Sequence, residues 1–192
     1  VNVHRVGVGI ASVDKLIMPL LGVFKVWNLQ RKYRYDAFWC MMVTFASGSA
    51  YLVNTFRRMF GMKIIPIVMT LQEGDSEEHL KTKWFGLINL SWRFALPRTT
   101  ILTTISTYLL DRAKREGYQG QSVVIPNGVN FELFNTPASI ESLNHAQEKM
   151  QKKDGETMLI TTSRLTKKNA VEDIIKSLKS LPESVKLAVL GV

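Results

Sequence analysis

"TTILTTISTYLLDRAKREGYQGQSVVIP", residues 99–126, decides the fold class of this chain. Its first part, "TTILTTIS", is rich in β-branched residues and predicts a strand. "TYLLDRAKREGY" predicts a helix that ends at Gly117, and "SVVIP" predicts a second strand. Two strands connected through a helix are typical of a parallel sheet, because an antiparallel pair needs only a short turn. The stretch therefore predicts one strand–helix–strand unit of an α/β protein.

The same alternation of strand and helix runs along the rest of the chain. The predicted strands are apolar on both faces, which is typical of parallel sheets covered by helices. We therefore predict an α/β fold with a doubly wound parallel sheet. Besides the two in the opening stretch, strands are predicted over residues 1–10, 36–45, 63–71, 157–163 and 185–191, and helices from residue 13 to 27 and over 48–62, 79–96, 139–153 and 170–182.

Charge is distributed unevenly along the 192 residues, whose formal net charge is +9. Residues 1–130 hold 16 Lys and Arg against 8 Asp and Glu, whereas residues 131–192 hold 9 against 8. A basic excess on one part of a chain indicates an anionic partner: nucleic acid, a phospholipid surface or a phosphorylated substrate. The sequence lacks the basic patterns of common nucleic-acid-binding folds and the phosphate-binding motif of NTPases, so we expect no nucleic acid and no NTPase activity.

Two features bear on the compartment. A single cysteine, Cys40, excludes a disulfide framework and indicates a reducing compartment. It lies in an apolar run, where we interpret it as a packing residue. No secretory signal pattern and no apolar run of membrane-spanning length is found, so we expect a cytoplasmic protein that is not inserted in a membrane.

Two aromatic stretches raise the question of membrane contact. "KVWNLQRKYRY", residues 25–35, interleaves Lys and Arg with Trp and Tyr. Basic amphipathic segments with aromatic residues bind anionic lipid surfaces. We therefore predict membrane contact for residues 25–35, whereas we interpret residues 84–96 as a helix that packs on the sheet.

"TTSRLTKKNAVEDII", residues 161–175, is a strand-to-helix turn that concentrates cations. Arg164 lies where the strand ends, and Lys167 and Lys168 precede the next helix. Cations beside the free amides of a helix N-terminus form a site for phosphate. The alternative is a solvated basic loop, and spacing alone leaves the two interpretations open.

Three stretches of the chain resemble motifs of one enzyme family. "SRLTKKNAVEDII" is similar to the "GR-L-x-x-K-G-x-D-x-L-I" stretch of GT-B glycosyltransferases of family 4. "VVIPNGVNFELF", residues 123–134, resembles their "V-I-P-N-G-V-D-x-x-x-F", and "ILTTISTYLLDRAKREGY" resembles their "T-x-S-x-x-L-x-x-x-x-x-x-G". The resemblance implies two Rossmann-like domains: residues 1–127 on the acceptor side, and residues 128–192 as a linker and the first strand–helix–strand of a donor-binding domain.

The resemblance also implies an activity. Such enzymes move a sugar from a nucleotide-diphosphate sugar to a glycan, lipid-linked or other acceptor, usually with retention of configuration, and without a metal or other cofactor. It further implies a role in cell-envelope polysaccharide synthesis and a peripheral position on the inner face of the cytoplasmic membrane. The family's Gly-rich first loop and its spaced pair of glutamates are not in these residues, so we expect that the 192 residues alone transfer no sugar.

Site residues follow from the matched motifs. Arg164, Lys168 and Asn169 are the candidates for binding the donor diphosphate. Lys168 is preferred because Asn169 and Ala170 stand where the family has Lys and Gly.

On the acceptor side, the loop "TLQEGD" supplies Gln72, Glu73 and Asp75 as candidates for binding sugar hydroxyls, and one of these carboxylates is a candidate base. A helix-capping role is the alternative for Asp75. No catalytic residue and no metal ligand is assigned. Two other functions remain open: a non-catalytic basic α/β module that binds an anionic membrane surface or polyanion, and a GT-B sugar-nucleotide epimerase.

Overall fold

The computed structural model describes residues 2–72 and 87–191. The chain divides into two compact units, Val1–Gly128 and Val129–Val192.

The first unit contains a four-stranded parallel sheet. Its strands lie side by side in chain order: β1 Phe38–Met41, β2 Ile67–Leu71, β3 Ile101–Thr104 and β4 Gln121–Val124. The register aligns Cys40, Met69, Leu102 and Ser122 in one row across the sheet. The predicted parallel α/β class is confirmed. The Asn-Gly that follows β4 leads into a helix, Phe131–Asn135, and not into an antiparallel strand.

Helices connect these strands as the sequence predicts. Gly61 and Gly117 both have a positive φ just beyond a helix end, where glycine is favoured. The predicted helix over residues 79–96 is confirmed from residue 87, and its earlier part lies outside the described residues. The helices of the first unit that the structure describes are α1 Ala11–Tyr33, α2 Phe45–Met59, α3 Leu87–Phe94 and α4 Thr107–Arg115, with a 3₁₀ turn at Leu96–Arg98.

The core of this unit lies on one face of the sheet. Met69 and Leu102 from the strands share a buried cluster with Ala50 of α2, Trp92 of α3 and Leu109 of α4. Right-handed crossovers between strands that neighbour each other in chain order bring their helices to the same face. The predicted doubly wound arrangement, with helices on both faces, is therefore not seen in the described residues.

The opposite face of the sheet is open in the part of the chain that the structure describes. Trp39 is 73% exposed on it, and Met41 and Val123 are also exposed. The Trp39 indole donates to the Thr70 hydroxyl at 2.9 Å, and this hydroxyl is 2.7 Å from that of Thr103. The apolar residues on both faces of the strands thus predicted the strands correctly. They did not predict which face of the sheet is covered by helices.

The predicted strand over residues 1–10 is wrong for residues 2–10, which form no strand. Gly7 and Gly9 have positive φ values, so the chain turns instead of extending. The carboxylate of Asp14, in the first turn of α1, accepts hydrogen bonds from the amides of Val8 at 2.6 Å and Gly9 at 3.1 Å. These bonds hold the turn against the helix start.

The second unit contains two parallel strands, β5 Thr157–Thr162 and β6 Val185–Leu190. Val171, the first residue of the helix between them, is buried. Ser139 caps another helix by accepting from the amide of Ser142. The helices are α5 Phe131–Asn135, α6 Ile140–Lys149 and α7 Val171–Ser177, with 3₁₀ turns at Lys167–Asn169 and Leu178–Ser180.

Candidate functional site

The carboxyl edge of the four-stranded sheet carries polar side chains in its loops. Gln72 directly follows β2, and Asn127 lies three residues beyond the end of β4. The Gln72 side-chain amide donates to the side-chain oxygen (Oδ1) of Asn127 at 3.4 Å, although 55 positions separate the two residues. Ligands of open parallel sheets bind at this edge. The structure thus places Gln72, a predicted acceptor-side residue, against Asn127 of the "IPNG" motif.

Asn127 was not predicted as a site residue. Its sequence signals were the Asn-Gly dipeptide, which indicates a turn, and its place in the "IPNG" motif; neither gives information about a distant partner. The other two acceptor-side candidates, Glu73 and Asp75, lie outside the described residues.

Ser106, which follows β3 at the same edge, is used locally. Its hydroxyl accepts from the amide of Leu109 at 3.4 Å and so caps α4. Its backbone carbonyl accepts from the hydroxyl of the buried Thr104 at 3.0 Å. Ser106 therefore shapes the edge, and its hydroxyl already has a structural role.

The predicted donor-side residues lie in the loop between β5 and α7. The Asn169 side-chain amide donates to the backbone carbonyl of Arg164 at 2.8 Å. This bond closes the loop across five positions and fixes the backbone from which the exposed Arg164 side chain extends. Asn169 thus uses one of its two amide protons to hold the loop.

Lys167 and Lys168 occupy the 3₁₀ turn inside this loop, and both side chains are exposed. The next residue after the turn, Ala170, has φ +52°, a left-handed conformation that favours glycine. The resemblance already marked this position as one where the family has Gly. Ala170 thus has a backbone conformation that is typical of glycine.

Acidic residues lie beside these cations. Glu172 and Asp173 occupy the first turn of α7, and Lys176 lies 3.7 Å from a carboxylate oxygen of each. The loop and this face of α7 line an open cleft of about 450 Å³. Lys176 offsets part of the acidic charge. Of the loop's cations, Lys167 lines the cleft, whereas Arg164 and Lys168 are not among its lining residues.

Cys40 is buried in β1, and burial raises the pKa of its thiol from 9.0 to about 11. A thiol with a raised pKa stays protonated at neutral pH and is a poor nucleophile. This agrees with its interpretation as a packing residue. Across residues 2–72 and 87–191, no three His, Cys, Asp or Glu side chains lie close enough together to hold a metal ion.

No helix within the described ranges is both long and apolar enough to cross a membrane. No family model matches the chain, and no curated protein matches it.

Proposed function

We propose that this chain belongs to a GT-B type glycosyltransferase, which moves a sugar from a nucleotide-diphosphate sugar to a glycan, lipid-linked or other acceptor with retention of configuration. The motif resemblance and the parallel α/β architecture support this proposal. The observation that carries it is the Arg164–Asn169 bond, because it holds a basic loop in a defined shape at the carboxyl end of a parallel strand.

The chemistry at this loop is electrostatic. When the glycosidic bond to the donor breaks, negative charge develops on the leaving diphosphate. Arg164 offers a fork of hydrogen-bond donors to phosphate oxygens, and Lys168 adds a second cation four positions later. Donors that are fixed before the reaction need no reorganisation as the charge develops. By closing the loop, the Asn169 bond fixes the backbone that carries Arg164 and Lys168 and so reduces this reorganisation.

Gln72 and Asn127 serve the acceptor in this proposal. Both are neutral amides that donate and accept hydrogen bonds, a property suited to sugar hydroxyls. Neither is a general base, because an amide does not take up a proton near neutral pH. Their role is to orient an acceptor hydroxyl.

Nucleotide binding tests the donor half of the proposal. Titration calorimetry of the chain with UDP, GDP and ADP should show binding of at least one of them. Arg164→Ala and Lys168→Ala should each weaken that binding by about tenfold or more, the effect of losing a hydrogen bond to a charged group. Lys179→Ala removes an exposed cation beyond α7 and should leave the affinity unchanged.

Two outcomes oppose the proposal. If the chain binds none of the three nucleotides, the loop is a solvated basic turn. Equal losses in the Lys179→Ala control and in Arg164→Ala would indicate attraction by net charge alone.

A further inference from the structure

The carboxyl-terminal ends of α1 and α2 meet at one place on the first unit. The rings of Trp27 in α1 and Phe60, directly after α2, are in edge contact with centroids 6.3 Å apart. α1 leads into β1 and α2 leads into β2, so both helix ends lie toward the amino edge of the sheet. The Gln72–Asn127 pair lies at the opposite, carboxyl edge.

Large apolar side chains are exposed at this meeting point. Phe24 is 70% exposed, Met59 73% and Phe60 68%. Phe24 lies one turn before Trp27 and therefore on the same side of α1. Exposed apolar side chains are ordinary when scattered, but a contiguous group of them marks an interaction site. These four residues are called the helix-end patch.

The loop that follows α2 is held in place. Gly61, with φ +65°, allows the amide of Met62 to donate to the carbonyl of Arg57 at 2.8 Å. The Arg57 guanidinium donates to the carbonyl of Lys63 at 2.9 Å. Phe60 and its neighbours are thus presented by a hydrogen-bonded turn.

Cations lie on the same two helix ends and on the loop after α2. The exposed side chains of Arg31, Arg58 and Lys63 lie on the two helix ends and the following loop. From residue 15 to residue 72 the sequence holds one acid, Asp36, whereas the cations in this range are Lys15, Lys25, Arg31, Lys32, Arg34, Arg57, Arg58 and Lys63. An apolar centre with a basic margin is complementary to a membrane whose lipids are anionic.

We propose that the helix-end patch docks the protein on an anionic phospholipid bilayer, with Phe24, Met59 and Phe60 at the acyl boundary and Arg31, Arg58 and Lys63 at lipid phosphates. A second copy of the chain is disfavoured because it would bring like charges together. Nucleic acid is disfavoured because the sequence lacks the basic patterns of common nucleic-acid-binding folds. Docking here leaves the carboxyl edge of the sheet open to substrates, and it does not depend on the proposed transferase activity.

Vesicle co-sedimentation of the whole chain tests the proposal. The chain should sediment with vesicles that contain phosphatidylserine. It should not sediment with vesicles of phosphatidylcholine alone. Arg31→Glu with Arg58→Glu should weaken binding at least about 25-fold, since each lost cation reduces affinity about fivefold. Phe24→Ser with Phe60→Ser should also weaken binding at least about tenfold, because the apolar insertion is lost.

Matched controls come from the second unit. Lys149→Glu with Lys179→Glu makes the same change in net charge, and Phe131→Ser with Phe134→Ser removes two equally exposed rings. Both control chains should sediment like the unchanged chain. Near-UV circular dichroism checks that the variants of the first unit remain folded, and far-UV circular dichroism checks those of the second unit, which contains no Trp or Tyr.

Tryptophan emission gives a second readout. Vesicles with brominated acyl chains should quench the chain's emission, and Trp27→Phe should remove most of this quenching, whereas Trp39→Phe should not. The proposal is wrong if sedimentation is indifferent to anionic lipid, or if the control substitutions weaken binding as much as those in the helix-end patch. It is also wrong if the chain binds single-stranded RNA through Arg31 and Arg58 and does not bind vesicles.

Discussion

The hydroxyl of Ser49, in α2, occupies the space that a side chain at position 22 of α1 would need. A β-carbon built on Gly22 would overlap the Ser49 hydroxyl oxygen. That hydroxyl lies 3.2 Å from the carbonyl of Met18 and 3.3 Å from that of Pro19. Gly22 and Ser49 therefore set how closely α1 approaches α2, and this packing positions both parts of the helix-end patch.

Gly22→Ala should lower the free energy of unfolding of the first unit by about 1–3 kcal/mol, because overpacking exceeds the gain in helix propensity. In a Ser49→Gly background the same substitution should cost at least about 1 kcal/mol less, since the obstructing side chain is gone. Urea unfolding followed by tryptophan emission measures both values, because all four tryptophans lie within residues 1–128. If the two substitutions change the free energy of unfolding additively, position 22 and the Ser49 side chain are not in close contact.

Ala170→Gly should stabilise the second unit by about 1 kcal/mol, because Ala170 holds a left-handed φ that costs a non-glycine residue about this much. Ala146→Gly, inside helix α6, should instead destabilise the unit by about 1 kcal/mol. Residues 129–192 contain no Trp or Tyr, so far-UV circular dichroism or amide hydrogen exchange is the suitable measurement. Equal destabilisation by both substitutions would mean that position 170 is not strained.

Local pattern predicted the elements whose signals lie within a few residues. Strand β3, helix α4 and strand β4 follow from β-branched runs and from the glycine at position 117. The prediction for residues 2–10 was wrong because alternating valines predict a strand. Two glycines with positive φ turn the chain instead, and the Asp14 carboxylate, five to six positions further along, holds this turn. The open sheet face was also unpredictable, since an apolar Trp39 looks the same whether or not another layer covers it.

In the candidate site, too, contacts between residues close in sequence could be predicted, and contacts between distant residues could not. Arg164 and Asn169 are five positions apart on one turn, so their proximity follows from the sequence. Gln72 and Asn127 come together only because β2, β3 and β4 pair in register, which local sequence does not encode. The helix-end patch likewise depends on the packing of two helices.

Arg112 makes an unusual contact in the core, and its substitution tests what this contact contributes to stability. Its side chain is buried in α4, with the guanidinium carbon 4.8 Å from the centre of the Trp92 ring. Arg112→Lys should lower the free energy of unfolding by about 1–3 kcal/mol, because lysine cannot stack as a flat group and is more strongly hydrated. Arg115→Lys, exposed on the same helix, should change it by less than about 0.5 kcal/mol. Equal values for both would show that the stacked guanidinium contributes nothing, and urea unfolding followed by tryptophan emission distinguishes the cases.

Cys40 makes the stability of the first unit depend on pH in the alkaline range. Its folded-state pKa of about 11 exceeds its ordinary value of 9.0, so above pH 9 the unfolded chain loses the thiol proton while the folded chain retains it. Stability therefore falls as pH rises from 9 to 11, by up to about 2–3 kcal/mol from this group. Burial raises the pKa of Tyr118 in the same direction, but this contribution is shared by a Cys40→Ala variant.

The difference between the unchanged chain and Cys40→Ala isolates the thiol. Urea unfolding at pH 8 and at pH 10.5, followed by tryptophan emission, should show a larger loss of stability in the unchanged chain. Iodoacetamide should alkylate Cys40 slowly in the folded chain at pH 8 and rapidly in urea, because only the thiolate reacts and the folded thiol is buried. Rapid alkylation of the folded chain, or equal pH dependence in the two proteins, would show that Cys40 is accessible and that its pKa is not raised.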